Sequence, residues 1–172
     1  MEKSLLLYGK GGHSVVLQDC AKRLGYSVVG FFDEQHPYVP TYLSTIPLLI
    51  AIGAPSIRKR VAEHCYAHSF MSLIHPSATV AENVEIGEGS VVLAGAVIQP
   101  GAKIGKHVII NANVTIDHDA IVKDYVTTYP GVYIGAGATV EDGVLIHSNA
   151  VIMRRVSIAS FAEIEPASVL KA

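Results

Sequence analysis

The sequence predicts an α/β domain followed by an all-β parallel helix, and two observations predict it. From residue 74 onward an aliphatic side chain recurs at every sixth position without interruption. Before that point, a short apolar strand runs into a glycine cluster, a helical pattern and a second strand. The chain has 172 residues, one domain or somewhat more at the usual ~100 to 200 residues each. Two small units, over residues 1–73 and 74–172, fit that length.

In chain order, Ser4-Leu5-Leu6-Leu7-Tyr8 reads as a strand that ends in Gly9-Lys10-Gly11-Gly12-His13. Val16, Leu17, Cys20, Ala21 and Leu24 then recur at helical spacing, and Gly25 is placed to stop the helix. Val28-Val29-Gly30-Phe31-Phe32 makes a second strand that ends at Asp33. A third strand, 48–52, runs into Gly53, and Pro55 opens a helix carrying Ile57, Val61 and Cys65. Residues 70–74 deliver the chain to the repeat. This is a Rossmann-like βαβ unit. The turn holding Gly9, Gly11 and Gly12 presents backbone N–H groups at a helix N-terminus, where they can hold phosphate oxygens. Asp33 stands where a ribose hydroxyl is often read. With some 73 residues, the domain is too short for a two-halved dinucleotide fold, so one nucleotide fits and NAD-dependent hydride transfer does not.

Stepping by six from Ile74 to Leu170 gives seventeen positions, sixteen of them aliphatic, with Thr128 the exception. Four residues after each of the first sixteen, from Ala78 to Ser168, the residue is always Ala, Val or Ser. A period of six is neither the 3.6 of a helix nor the plain 2 of a strand, so the chain turns after each short strand and returns in register. Three edges close a triangular coil of 18 residues, with the large aliphatic inside and the small residue at a corner. Residues 74–170 then hold a little over five coils, each ~4.8 Å from the next. Thr128 is expected to bond nearby backbone.

Half of the residues are hydrophobic and 16% are charged, against ~25% in a typical domain, so a disordered tail or a basic nucleic-acid arm is excluded. The net charge is −2, with 7 basic and 5 acidic residues up to position 73, then 6 and 10. Neither half offers a polyanion a basic patch, although single placed cations can hold a small phosphate ligand. No apolar run approaches the ~20 residues of a membrane span, and Leu5 to Leu7 is too short for a signal peptide. The expectation is a cytoplasmic protein without membrane or nucleic-acid partners. Cys20 and Cys65 lack metal-ligand spacing and read as buried thiols.

The markers Tyr8-Gly9-Lys10-Gly11-Gly12-His13, Phe32-Asp33, Ile50-Ala51-Ile52-Gly53 before a helix with Arg58, Leu73-Ile74-His75-Pro76-Ser77-Ala78, and Asn111 through Ile116-Asp117-His118-Asp119 resemble the NeuD/PglD-like bacterial sugar acetyltransferases. The resemblance covers nearly the whole chain. It implies a left-handed parallel β-helix of hexapeptide repeats, a handedness that spacing does not supply. It also implies a homotrimer, a nucleotide-linked sugar on the N-terminal domain, and acetyl-CoA as co-substrate, without a metal, in a groove between adjacent prisms. His118 matches the general base and Asp119 its acidic neighbour. His13 matches a histidine that approaches the sugar nucleotide, with Gly53 in the same substrate set and Asn111 on the donor side.

Bottom-up reasoning supports His118, because an amine or hydroxyl attacking a thioester must lose a proton and imidazole has a pKa of ~6.5. His118 follows the inward Ile116 by two residues, so it projects outward at a corner. Residues 18 apart stack, which places Pro100-Gly101 one coil before His118-Asp119, Ala136-Gly137 one coil after, and Arg154-Arg155 two coils after. The thioester is therefore expected against Ala136 and Gly137, with an N–H from Gly135 to Gly137 at the developing oxyanion. Arg154 or Arg155, roughly 10 Å along the axis, is expected at the phosphates. His147 stacks in register with Asn111, Tyr129 and Glu165 and reads as surface.

The chain departs from the family in three places. Thr127 stands where the family commonly has a histidine that handles the acetyl donor, Ala54-Pro55 replaces polar residues after Gly53, and residues 168–172 lack the usual Gly-x-Pro-Ala tail. The expected activity is N-acetylation of a nucleotide-linked amino sugar in bacterial glycan biosynthesis. The alternatives are O-acetylation of a sugar such as a sialic acid and a non-catalytic sugar-nucleotide-binding protein. A zinc enzyme resembling γ-class carbonic anhydrases would need three converging histidines; His107 and His118 are present, but the close histidine pair is missing.

Overall fold

A computed structural model describes residues 3–171; Met1, Glu2 and Ala172, at the outer ends of the two expected units, lie outside the described residues. The N-terminal strands β1 (Lys3–Tyr8), β2 (Tyr26–Phe32) and β3 (Leu48–Ile50) form a parallel sheet in the order β2-β1-β3. The helix α1 (Gly12–Arg23) follows β1, and α2 (Pro55–His64) follows β3. Leu17, Cys20 and Ala21 of α1 are buried against Leu5, Leu7 and Leu49. Val16 and Ile57, expected inside from their spacing, are instead more than 40% exposed, because one narrow stripe of each short helix meets the sheet. Gly25 ends α1 at φ +78°. The third strand stops at Ile50, two residues short of the predicted end.

Seventeen two-residue strands follow, from β4 (Leu73–Ile74) to β20 (Val169–Leu170), in three parallel sheets of six, six and five strands. Every pairing joins residues 18 apart, as in Ile110↔Thr128 and Ile116↔Ile134. The solenoid has the predicted period and about the predicted number of coils. Its core contains Val92, Ile98, Ile110, Ile116, Ile134, Ile146 and Ile152. Ile74 heads the inward ladder yet is 38% exposed, since no coil lies beneath it. The buried Thr128 hydroxyl donates to Ile109 O at 3.1 Å.

The corners follow a second rule. A residue in the left-handed region folds its side chain over the residue one coil earlier, which is usually glycine: Asn113 over Gly95, Asp119 over Gly101, Asn149 over Gly131 and Phe161 over Gly143. A side chain at Gly101 would collide with Asp119 Oδ1, and φ there is +77°. His107 lies over Gly89 in the same way, and Tyr125 departs from the rule by stacking on the His107 ring, with centroids 5.3 Å apart and planes within 5°.

One outward column of the solenoid is apolar, and this is where the N-terminal domain sits. Leu73, Val91 and Ile109, together with Leu93, join the core formed by β1 and α1. Beyond that apolar contact Arg58 of α2 inserts, 1% exposed. Its Nε donates to His107 O, its Nη1 to Ile52 O and Gly53 O, and its Nη2 to Tyr125 O and Thr127 Oγ1, all at 2.7–2.8 Å. A further contact reaches Val126 O at 3.3 Å. No acceptor is a carboxylate, and burial brings the guanidinium pKa down to about 9. The site keeps its charge through a full set of carbonyl and hydroxyl partners. Cys20 and Cys65 are buried and free, and burial pushes their thiols up to about 11 and about 12.

Two stability predictions follow from this junction. Arg58→Met strands four or more buried acceptors, so urea unfolding should show a loss of about 3 kcal/mol or more, with Arg58→Lys recovering only part because an ammonium has three donors. His107 is 3% exposed, its Nδ1 has no partner, and burial with the Arg58 charge lowers its pKa to about 4. The unfolded chain then binds a proton at His107 below about pH 6.5 that the folded chain refuses. Stability from this group is present above pH 6.5 and is lost as pH falls toward 4, by up to about 3 kcal/mol. Urea midpoints measured between pH 7 and 4 should fall less steeply for His107→Phe than for wild type.

Candidate functional site

The sequence-predicted residues fall into two groups on different corners of the solenoid. The first group lies on the corner bearing His118, between the strands Thr115–Ile116 and Ile121–Val122. Asp119, at φ +60°, turns its carboxylate back so that Oδ2 lies 2.8 Å from His118 Nδ1. A carboxylate only accepts, so Nδ1 carries the proton and Nε2 faces outward with a free lone pair. The hydrogen bond that His118 donates to Asp119, reinforced by the charges of Asp117 and Asp119 and opposed by desolvation and by Arg154, raises the His118 pKa above its ordinary value. Asp117, Tyr133, Ala136, Met153 and Arg154 join His118 around a cleft of about 320 Å³. The expected stacking of Ala136 one coil above the imidazole and Arg154 two coils above is present.

Two details of this corner differ from expectation. The Gly135 N–H donates to Ile152 O and the Gly137 N–H to His118 O, both in the coil ladder, so neither is available to a ligand. Ala136 is the member of the trio whose N–H makes no such bond. Gly135 is required for a different reason, since a side chain there would strike the backbone of Met153 and Arg154. The arginine pair also splits. Arg154 lines the cleft, whereas Arg155, at φ +59°, lays its stem over Gly137.

The second group lies at the next corner, beneath the N-terminal domain. His13, Gly53, Ile109, Asn111, Thr127 and Tyr129 enclose a cavity of about 120 Å³. The His13 Nε2 is buried without a partner, and burial together with the Arg58 charge lowers its pKa to about 4. His13 is therefore a neutral imidazole at working pH. Asn111 Oδ1 accepts the Ala112 N–H at 2.9 Å, which anchors the amide and leaves its NH2 free. Thr127, at the position of the family's donor-handling histidine, lines this cavity but is 3% exposed, and its hydroxyl donates to Gly53 O while accepting from Arg58. It ties the domains together and has no hydrogen to offer a ligand. His147 stacks on Tyr129 at 5.2 Å as the register implies, but pairs with Glu163, not Glu165.

On the N-terminal domain, Gly9 at φ +104° passes close over Ala51 O, while Gly11 and Gly12 open the α1 N-terminus with nothing within 4 Å of a notional side chain. Gly11 is the N-cap, and no side chain caps the helix. Gly11 and Gly12 are exposed, which leaves room for a phosphate at this uncapped helix N-terminus. Asp33 lies at the end of β2, where the sequence places it. Its Oδ1 accepts the Gln35 and His36 N–H groups and pairs with the His36 ring, so the carboxylate holds a turn and only Oδ2 stays open. The aromatic cavity beside it, about 380 Å³ and lined by Phe31, His36 and Tyr42 among others, had no counterpart in the sequence reading. Lys10 lies over the Phe31 ring at 5.6 Å, linking that cavity to the glycine turn.

Sequence reasoning also gave no role to Arg58, Tyr129 or Tyr133. Register arithmetic points to the tyrosines, because Tyr129 stands 18 residues after Asn111 and Tyr133 stands 18 after Thr115. Nothing in the local sequence identifies Arg58 as the residue that crosses the domain boundary.

Residues 4–65 match the PglD N-terminal domain, and residues 83–118 match the bacterial transferase hexapeptide (six repeats). GDP-perosamine N-acetyltransferase of Escherichia coli is 30% identical over 122 residues, 70% of this chain and 53% of that protein. UDP-N-acetylbacillosamine N-acetyltransferase of Bacillus subtilis is 32% identical over 112 residues, 54% of this chain and 52% of that protein. The chain thus spans about half the length of these relatives. Among solved structures, the acetyltransferase domain of PglB from Neisseria gonorrhoeae, in complex with acetyl coenzyme A, superimposes with a TM-score of 0.70 at 27% identity, over 98% of this chain and 96% of that one. A histidine-to-asparagine mutant of perosamine N-acetyltransferase from Caulobacter crescentus, in complex with CoA and GDP-perosamine, gives 0.67 at 25% identity, over 94% and 91%.

The His118 titration is directly testable. Ring proton shifts followed by NMR should give a midpoint above 6.5, and Asp119→Asn should bring that midpoint down, since it removes a charge and replaces the carboxylate acceptor with a weaker, neutral amide oxygen.

Proposed function

We propose, for a chain that belongs to the hexapeptide-repeat proteins carrying a PglD N-terminal domain, that it is an acetyl-CoA-dependent N-acetyltransferase acting on a nucleotide-linked amino sugar. The observation that carries this reading is the His118 cleft, where an outward Nε2, a free Ala136 N–H and the Arg154 guanidinium line one wall in that order. Both relatives and the Caulobacter neighbour are named as N-acetyltransferases and the Neisseria neighbour as an acetyltransferase domain, and these two structures hold CoA and acetyl-CoA respectively.

In this reading the sugar amine attacks the thioester carbonyl carbon while His118 Nε2 takes the amine proton. The carbonyl oxygen becomes an oxyanion that the Ala136 N–H meets, at a helical corner where no other group competes for that amide. Collapse of the intermediate expels CoA as a thiol once it regains a proton, with imidazolium as the donor. Asp119 holds the tautomer and stabilises imidazolium, as the raised pKa of His118 reflects. Arg154 meets donor phosphate. Residues 1–73 take the nucleotide sugar, with diphosphate on the Gly11 and Gly12 amides and the nucleoside toward Asp33 and the Phe31–Tyr42 cavity. Residues 74–172 perform the transfer.

Within one chain His13 and Asn111 line one cavity and His118 lines another. A homotrimer supplies the missing juxtaposition by setting the His118 corner of one prism against the Asn111 corner of the next. Acetyl-CoA then lies in the groove between them, and the neutral His13 and the Asn111 amide orient the sugar. A cytoplasmic location fits these co-substrates.

The test is thiol release from acetyl-CoA across UDP- and GDP-linked amino sugars. Release should depend on the amino sugar and fall by a factor of about 100 or more in His118→Ala. Arg154→Ala should raise KM for acetyl-CoA with little change in kcat, whereas Arg155→Ala should leave KM unaltered. Binding of a nucleotide sugar without release in the wild type would instead identify a non-catalytic binding protein, and release with hydroxy sugars alone would identify O-acetylation.

A further inference from the structure

We propose that Tyr133 is a positioning residue for His118, acting through Asp117, an inference that rests on the acetyltransferase reading above. Tyr133 stands on the outer face of the solenoid, its backbone paired with Thr115 one coil earlier. Its side chain runs sideways toward the corner, and the hydroxyl donates to Asp117 Oδ2 at 2.8 Å. The other oxygen of the same carboxylate accepts the His118 backbone N–H at 2.7 Å. Asp117 is thereby held at both ends, one oxygen on the neighbouring coil and one on the residue that carries the imidazole.

The turn at His118 needs such support. The His118 and Asp119 side chains are 60% and 71% exposed, so packing does little to fix either. Ladder bonds hold the turn at Asp117 N–H, Asp119 N–H and His118 O, but the His118 N–H takes its partner from the Asp117 side chain. Tyr133 fixes that carboxylate from the next coil, and effective proton transfer depends on placement within a fraction of an ångström. The charged groups around the imidazole are Asp117 and Asp119 on its own turn and Arg154 two coils on; Tyr133 faces it through Asp117. The Tyr133 bond also keeps Asp117 ionised, since donation from a hydroxyl lowers the carboxyl pKa. Tyr133 and Asp117 line the same cleft as His118, Ala136 and Arg154, yet the hydroxyl is spent on Asp117 and not directed at the ligand.

The experiment is a double-mutant cycle of Tyr133→Phe and Asp117→Ala, with kcat and KM for both substrates. Tyr133→Phe should lower kcat about tenfold and leave both KM values close to wild type. Asp117→Ala should lower kcat at least as far and also move the acid limb of the pH profile down, because a charge beside His118 is gone. In the double variant the tyrosine substitution should cost nothing further, since its route is already cut. A tyrosine effect that persists in full on the Asp117→Ala background, or one confined to KM, overturns the proposal in favour of direct ligand contact. A second readout needs no turnover. In 1H–15N spectra Tyr133→Phe should shift the His118 amide, which loses a fixed acceptor, and broaden its ring signals. Unchanged His118 signals overturn the positioning role. Absence of turnover by wild type on every sugar, with the amide shift present, would sink the acetyltransferase reading while leaving the coupling intact.

Discussion

Each rung of the solenoid hydrogen-bonds to the rung eighteen residues away, and that repeat constrains the rest of the molecule. A single inserted residue would turn inward side chains outward for the remainder of the chain, so 74–170 runs without one. The same stacking dictates the corners, where a left-handed residue lies over the coil beneath and leaves room for glycine there. Asp119 owes its position to this rule. Its unusual φ and the bare Gly101 beneath it bring the carboxylate round to the His118 ring, so a packing requirement of the scaffold orients the imidazole.

The union of the two domains rests on different physics. The apolar column Leu73, Val91 and Ile109 supplies contact area, but the direction comes from Arg58, whose planar fork gathers carbonyls from the strand β3 end and from two coils at once. A buried cation without a carboxylate costs desolvation that only a complete donor set offsets. That completeness has a consequence for chemistry: Thr127 and the Gly53 carbonyl, both beside the His13 cavity, are immobilised by it. The end of β3 and the solenoid wall are thus joined by one hydrogen-bonded network.

Charge separates the two groups of site residues. His118 is exposed, flanked by two carboxylates and raised in pKa, while His13 is buried next to Arg58 and lowered. One imidazole suits proton transfer and the other neutral hydrogen bonding, a division that residue type alone does not reveal. In the proposed assembly the two meet across a subunit boundary, with the base on one chain and the sugar-facing groups on its neighbour.

The sequence by itself determined the solenoid, its register and its inward ladder, because side-chain size at fixed spacing is the interaction that builds the coil. It also determined the βαβ order, the glycine turn and the stacking of His118 with Ala136 and Arg154, since these follow from local pattern and arithmetic. Tertiary structure decided what that arithmetic does not contain. Which backbone N–H remains free at Gly135 to Gly137 depends on ladder bonds to neighbouring coils, and which of Arg154 and Arg155 reaches the cleft depends on the sign of φ at the corner. The burial of Thr127, the turn held by Asp33 and the reach of Arg58 across 69 residues to Thr127 all arise where segments distant in sequence meet. Hydrogen-bond partners there are set by how the two domains dock, and a linear pattern carries no record of that.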